Sequence, residues 1–156
     1  MKLVLNGGGI GKAVESARKQ LNSIIDHDKK ILYIPFAWPD PKFSGCLEFM
    51  TNELSDVDKA GIDMVKTPEE LMDKDFREYA CLYIGGGNTY KLLHCLKTIG
   101  AFEKIKRYLL EEGGIVYGGS AGAIIFGKDL ICWNYPSASP CLQYRKRIQS
   151  MWTTIR

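Results

Sequence analysis

The chain has 156 residues, 46% of them hydrophobic and 25% charged, with a formal net charge of +3 at pH 7. That length suits one domain with a proper core and is short for two. The positive charge sits in residues 130–156, where Arg145, Lys146, Arg147 and Arg156 face no acid, so residues 1–129 are close to neutral and give no reason to expect a nucleic-acid partner.

Five cysteines, Cys46, Cys81, Cys95, Cys132 and Cys141, are odd in number and contain no C-x-x-C pair, which argues against a disulfide framework and against a zinc site. They read as reduced thiols, with Cys81 inside an apolar strand and therefore in the core. No apolar h-region follows Met1 and no apolar run approaches a membrane span, so a cytoplasmic protein without a membrane partner is expected.

In chain order, Lys2–Leu5 is a short apolar strand that stops at Asn6-Gly7-Gly8-Gly9. Apolar Ala13, Ala17, Leu21, Ile24 and Ile25 then recur at helical spacing between Lys12 and Ile25. The glycine run does not satisfy G-x-G-x-x-G and no acid clearly ends the next strand, which argues against a dinucleotide site. Lys30–Pro35 is the second strand. The loop Phe36–Pro41 after it, rich in proline and aromatics, either walls a pocket or covers the edge of the core with Phe36 and Trp38. Phe43–Lys59 predicts a helix bearing Leu47, Met50, Leu54 and Val57, Gly61–Val65 a short strand, and Pro68-Glu69-Glu70 the first turn of a brief helix.

Tyr79–Ile84 is a continuous apolar strand of the kind buried on both faces of a parallel sheet, and it runs into Gly85-Gly86-Gly87-Asn88-Thr89 before a helix over Tyr90–Lys97. A further helix, Ala101–Glu112, precedes Gly113-Gly114 and the strand Ile115–Tyr117. Five β-to-α alternations without a hairpin signal predict an α/β fold: three layers, with a mostly parallel open sheet between helices on both faces. In such a sheet the ligand belongs at the carboxyl ends of the strands, where all three glycine turns fall.

The last of these turns carries the chemistry. Gly118, Ser120 and Gly122 fit G-x-S-x-G, a strand that turns sharply into a helix with serine at the apex and glycines where side chains would collide. The N–H of Ala121 then lies in the first helical turn, where free donors and the positive dipole end favour a developing oxyanion. Acyl transfer is the reaction this suggests. A tight packing turn, or one that binds phosphate without reacting, would use similar residues.

Asn6-Gly7-Gly8-Gly9, Tyr33-Ile34-Pro35-Phe36-Ala37, Ile84-Gly85-Gly86-Gly87-Asn88-Thr89-Tyr90-Lys91-Leu92 and Gly118-Gly119-Ser120-Ala121-Gly122-Ala123 together resemble the peptidase E family of serine peptidases, over about residues 2–128. That family includes alpha-aspartyl dipeptidases and is related to cyanophycinases. The resemblance implies a class I glutamine amidotransferase-like or flavodoxin-like sheet and Ser120 as nucleophile. It also implies an oxyanion hole from the N–H groups of Gly86, Gly87 and Ala121, Asn88 beside the substrate, and a small peptide, with N-terminal aspartate, as substrate. No metal or organic cofactor is implied.

One departure from the family pattern bears on activity. The resemblance implies a Ser-His-acid triad whose last two members follow the serine, yet the only histidines are His27 and His94, and Asp129 is the only acid after Ser120. Impaired hydrolysis, or a non-catalytic homologue that binds a small ligand or a partner protein, is the expectation. After Asp129 the texture also changes: residues 130–156 have neither helical nor alternating period, which fits a replaced or frame-shifted C-terminus as well as a natural short form. The domain is therefore placed at residues 1–129. The tail at 130–156 is expected to pack poorly or to form a homodimer contact through Trp133, Tyr135, Tyr144 and Trp152.

Overall fold

The computed structural model describes residues 1–39, 42–57 and 60–127. Its strands are β1 (Lys2–Asn6), β2 (Ile31–Ile34), β3 (Ile62–Met64), β4 (Cys81–Ile84) and β5 (Ile115–Gly119), hydrogen-bonded in the order β1-β5-β4-β2-β3 with every pairing parallel. The helices are α1 (Glu15–Asn22), α2 (Phe43–Glu53), α3 (Pro68–Asp73), α4 (Thr89–Thr98), α5 (Ala101–Leu110) and α6 (Ala121–Ile124). The expected α/β architecture is the observed one. The division at Asp129 and the character of the tail lie outside the described residues.

Strand alternation divides the interior in two. Leu32, Ile34, Leu82, Ile84 and Val116 point to one face and pack with Leu71 of α3, Leu92, Leu93 and Leu96 of α4, and Phe102, Ile105 and Leu109 of α5. Their neighbours along the same strands, Ile31, Tyr33, Cys81, Tyr83 and Tyr117, point to the other face and pack with Leu21 of α1 and with Met50, Leu54 and Val57 in and after α2. Successive side chains of a strand face opposite ways, so each short strand serves both layers. Cys81 is fully buried, as expected.

Three element boundaries depart from expectation for identifiable reasons. The first helix is split into a 3-10 turn at Gly11–Ala13 and α1, with Val14 between them outside helical geometry. The second ends at Glu53, six residues early: Leu54 leaves helical geometry at φ −105° and ψ 13°, Ser55 N turns to Asn52 O at 3.5 Å, and Arg18 Nη1 donates to the Glu53 carbonyl at 2.9 Å. Val57 N bonds Leu54 O at 2.8 Å instead, and both side chains stay buried without the helix. The strand before α4 starts at Cys81, since Tyr79 still closes the 3-10 turn at Phe76–Glu78 with its N–H on Phe76 O at 3.3 Å. At α3 the expected start is supplied by Thr67, whose hydroxyl accepts from Glu70 N at 3.1 Å, with Pro68 in the first helical turn.

Candidate active site

Ser120 joins β5 to α6 with φ 51° and ψ −111°, and it is the one non-glycine residue with positive φ among those described. Such a backbone costs on the order of 1–3 kcal/mol and persists only where its surroundings enforce it. They do so here through close contact. A Cβ on Gly122 would lie 2.0 Å from the Ile84 carbonyl oxygen, and one on Gly118 would lie 2.5 Å from the Gly122 oxygen, so only glycine lets α6 start so near β4 and β5. Ser120 N is held by Asn6 O at 3.0 Å.

The three glycine turns stand side by side because β1, β5 and β4 are adjacent in the sheet. Asn6 ties the first to the third: its Oδ1 accepts from Gly8 N at 2.9 Å and its Nδ2 donates to Gly118 O at 3.4 Å. Ser120 is wedged between the outer two. A Cβ on Gly8 would come 2.9 Å from Ser120 Cβ and 3.4 Å from its Oγ, and one on Gly86 would come 3.1 Å and 3.6 Å from the same atoms. Among the described residues no backbone carbonyl accepts the N–H of Gly86, Gly87 or Ala121. Gly86, Gly87 and Ser120 line one cavity of about 740 Å³, while Ala121 is buried directly behind Ser120 as the first residue of α6.

The floor of that cavity is a ladder of tyrosines. Tyr33, Tyr83 and Tyr117 are register partners across β2, β4 and β5, with ring centroids 5.4 Å and 4.9 Å apart. Burial pushes all three hydroxyls above the ordinary tyrosine range, and at Tyr117 the neighbouring Arg18 and Asn6 work against it. Cys46 lines the same space; burial raises its thiol, and the Tyr33 hydrogen bond and Lys42 pull it partway back. Arg18 and Glu53 form the charged wall, joined at 3.3 Å, with Glu53 Oε2 also accepting from Gly11 N at 3.1 Å.

The remaining expected residues are placed elsewhere. Asn88 does not line the cavity: its side chain caps α4 by accepting from Lys91 N at 3.0 Å, and its N–H donates to Ala37 O at 2.9 Å. His27 is exposed, with Nε2 3.0 Å from Asn22 O. His94 belongs to α4, whose buried residues pack on the opposite face of the sheet from the tyrosines, and neither histidine lines the cavity. Of the loop after β2, Phe36 is buried in the far core and Trp38, 38% exposed, walls the cavity, so each alternative holds for one residue. Among the described residues no cluster of three or more His, Cys, Asp or Glu could hold a metal, and no helix is long and apolar enough to cross a membrane.

A family model for peptidase family S51 matches residues 3–147. The chain belongs to peptidase family S51. Consistent with that family's fold, the crystal structure of a protein from Listeria monocytogenes EGD-e described as a peptidase E protein superposes with a TM-score of 0.60 at 24% identity, covering 80% of this S51 chain and 61% of that one. Two pyridoxal 5'-phosphate synthase subunits PdxT are also similar. That of Fervidobacterium nodosum is 40% identical over 76 residues, 49% of this chain and 36% of its own, and that of Thermosipho africanus is 33% identical over 85 residues, 53% and 41%. The S51 chain thus spans well under two thirds of each curated relative.

The tyrosine ladder and the Arg18–Glu53 pair were not foreseen. A signal for the ladder does exist, in that Ile31-Leu32-Tyr33, Cys81-Leu82-Tyr83 and Ile115-Val116-Tyr117 each place tyrosine third in a strand. No comparable signal pairs Arg18 with Glu53, which meet only because α1 and α2 share a face.

Proposed function

We propose that this chain is a serine-type hydrolase of small peptides, with Ser120 Oγ as nucleophile and the N–H groups of Gly86, Gly87 and Ala121 as the oxyanion hole. The observation that supports it best is the strained Ser120 backbone in the wall of a cavity, held between Gly8 and Gly86. In this reading Oγ attacks the scissile carbonyl carbon and the oxygen takes up negative charge beside the free N–H groups. The C–N bond then breaks, the amine leaves with a proton, and water hydrolyses the acyl-serine. Resemblance to peptidase E implies dipeptides with N-terminal aspartate. No cofactor is needed for these steps.

The weak point of this machine is the base. With neither histidine at the cavity, the Ser120 proton passes to water, and turnover falls about a thousandfold or more below that of a complete triad. The same observation favours a second reading, a non-catalytic S51 homologue that binds a small ligand or a partner protein. Hydrolysis of aspartyl dipeptides by this chain and by Ser120→Ala separates the two. Slow release lost in the variant supports the hydrolase, whereas equal rates support the binder; rapid turnover abolished by His94→Ala would contradict the assignment of the histidines.

A further inference from the structure

The cavity's lining bears on the side chain a substrate would present. Beside Ser120 the floor is the Tyr33-Tyr83-Tyr117 ladder, and α2 faces it with Met50 and Phe49. A Cβ on Gly119 would lie 3.0 Å from the Tyr83 hydroxyl, so this floor reaches the residue just before Ser120. The hydroxyls keep their protons and add no charge.

Among the described residues, the cations that line the cavity are poorly placed to receive a carboxylate. Arg18, with 16% of its side chain exposed, is held by the Glu53 carboxylate at 3.3 Å and the Glu53 carbonyl at 2.9 Å, and its Nε lies 3.9 Å from Asp56. Arg18 Nε is buried without a hydrogen-bond partner, but a further carboxylate brought to it would be desolvated beside two acids already sharing the one cation. Lys42 is exposed at the rim, its Nζ 5.3 Å from the centroid of the Trp38 ring, where an ion pair is worth little.

We propose that the subsite beside Ser120 takes an uncharged, preferably aromatic side chain and disfavours the carboxylate that resemblance to aspartyl dipeptidases implies. An aromatic ring would lie over the packed tyrosine ladder and under Phe49. The inference rests on the reading that small peptides occupy this cavity, though not on the chemistry at Ser120.

The experiment is equilibrium binding of phenylalanyl-leucine, alanyl-leucine and aspartyl-leucine to Ser120→Ala by titration calorimetry, alongside hydrolysis of the same peptides by the unmodified chain. Burial of one aromatic side chain predicts phenylalanyl-leucine binding roughly tenfold to a hundredfold tighter than alanyl-leucine, with aspartyl-leucine no tighter than alanyl-leucine. Phe49→Ser, at a 46% exposed position that folding should tolerate, should lose several-fold for the phenylalanyl peptide alone. Aspartyl-leucine binding as tightly as phenylalanyl-leucine, or no saturable binding of phenylalanyl-leucine, overturns the inference. Preferential phenylalanyl binding without any hydrolysis sustains it while overturning the hydrolase reading.

Discussion

On the α4–α5 face of the sheet, Leu32, Ile34, Leu82, Ile84 and Val116 are all fully buried in one hydrophobic cluster, whereas one residue along the same strands Tyr33, Tyr83 and Tyr117 floor an open cavity. The strand backbone is common to both faces, so the difference comes from strand side chains and from the helices that cover each face. The first face is filled to stabilise the fold. The second borders a cavity next to a strained serine, and strain of that kind must be offset elsewhere in the molecule. The rigid far face is the natural source, because Ile84 belongs to it and its carbonyl oxygen is the atom against which Gly122 fits.

Substitutions on the two faces should therefore differ in kind, and the largest loss of stability belongs to the far face. Leu82→Ala should cost about 2–5 kcal/mol in urea unfolding, by lost burial plus a cavity. A loss below about 1 kcal/mol would erase the contrast. Next comes the cavity side, where Gly8→Ala places a side chain at φ 91° and 2.9 Å from Ser120 Cβ. Its cost in stability should be about 1–2 kcal/mol, while acylation of Ser120 by an activated ester slows at least tenfold, by crowding the nucleophile. A variant as reactive as the parent would separate Gly8 from the site.

The smallest effect should lie at the sheet edge. Asp63 of β3 accepts from the Tyr79 hydroxyl at 2.6 Å and from Lys74 Nζ at 3.0 Å, and the Tyr79 bond, followed by Lys74, holds its carboxyl below the usual range against the opposing effect of burial. A depressed folded value means that the stabilisation is fully present above the unfolded value near 4 and is lost as pH falls through the folded one. Asp63→Asn should thus cost about 1 kcal/mol at pH 7, and the gap should close below pH 4. A gap that widens on acidification would reverse the sign assigned to Asp63.

Much of this arrangement was legible in the sequence. Runs such as Cys81-Leu82-Tyr83-Ile84 could only be strands buried on both faces, and glycines placed around Ser120 signalled a turn too tight for side chains. Other features needed the third dimension. The carbonyl at the end of helix α2, Glu53, is taken up by an arginine 35 residues earlier, a partner that no local propensity encodes. The ladder depends on β2, β4 and β5 being neighbours in one register, and the cap made by Asn88 could not be told from a substrate contact until the start of α4 was fixed.

The central claim is that Ser120 is the reactive atom of this cavity, and labelling tests it most directly. The chain is incubated with a p-nitrophenyl ester or a phosphonate probe, digested and mapped by mass spectrometry, in parallel with Ser120→Ala. The account predicts a single adduct on the peptide containing Ser120, absent from the variant. An adduct on Cys46 or a lysine that persists in Ser120→Ala, with Ser120 itself unmodified, would contradict it.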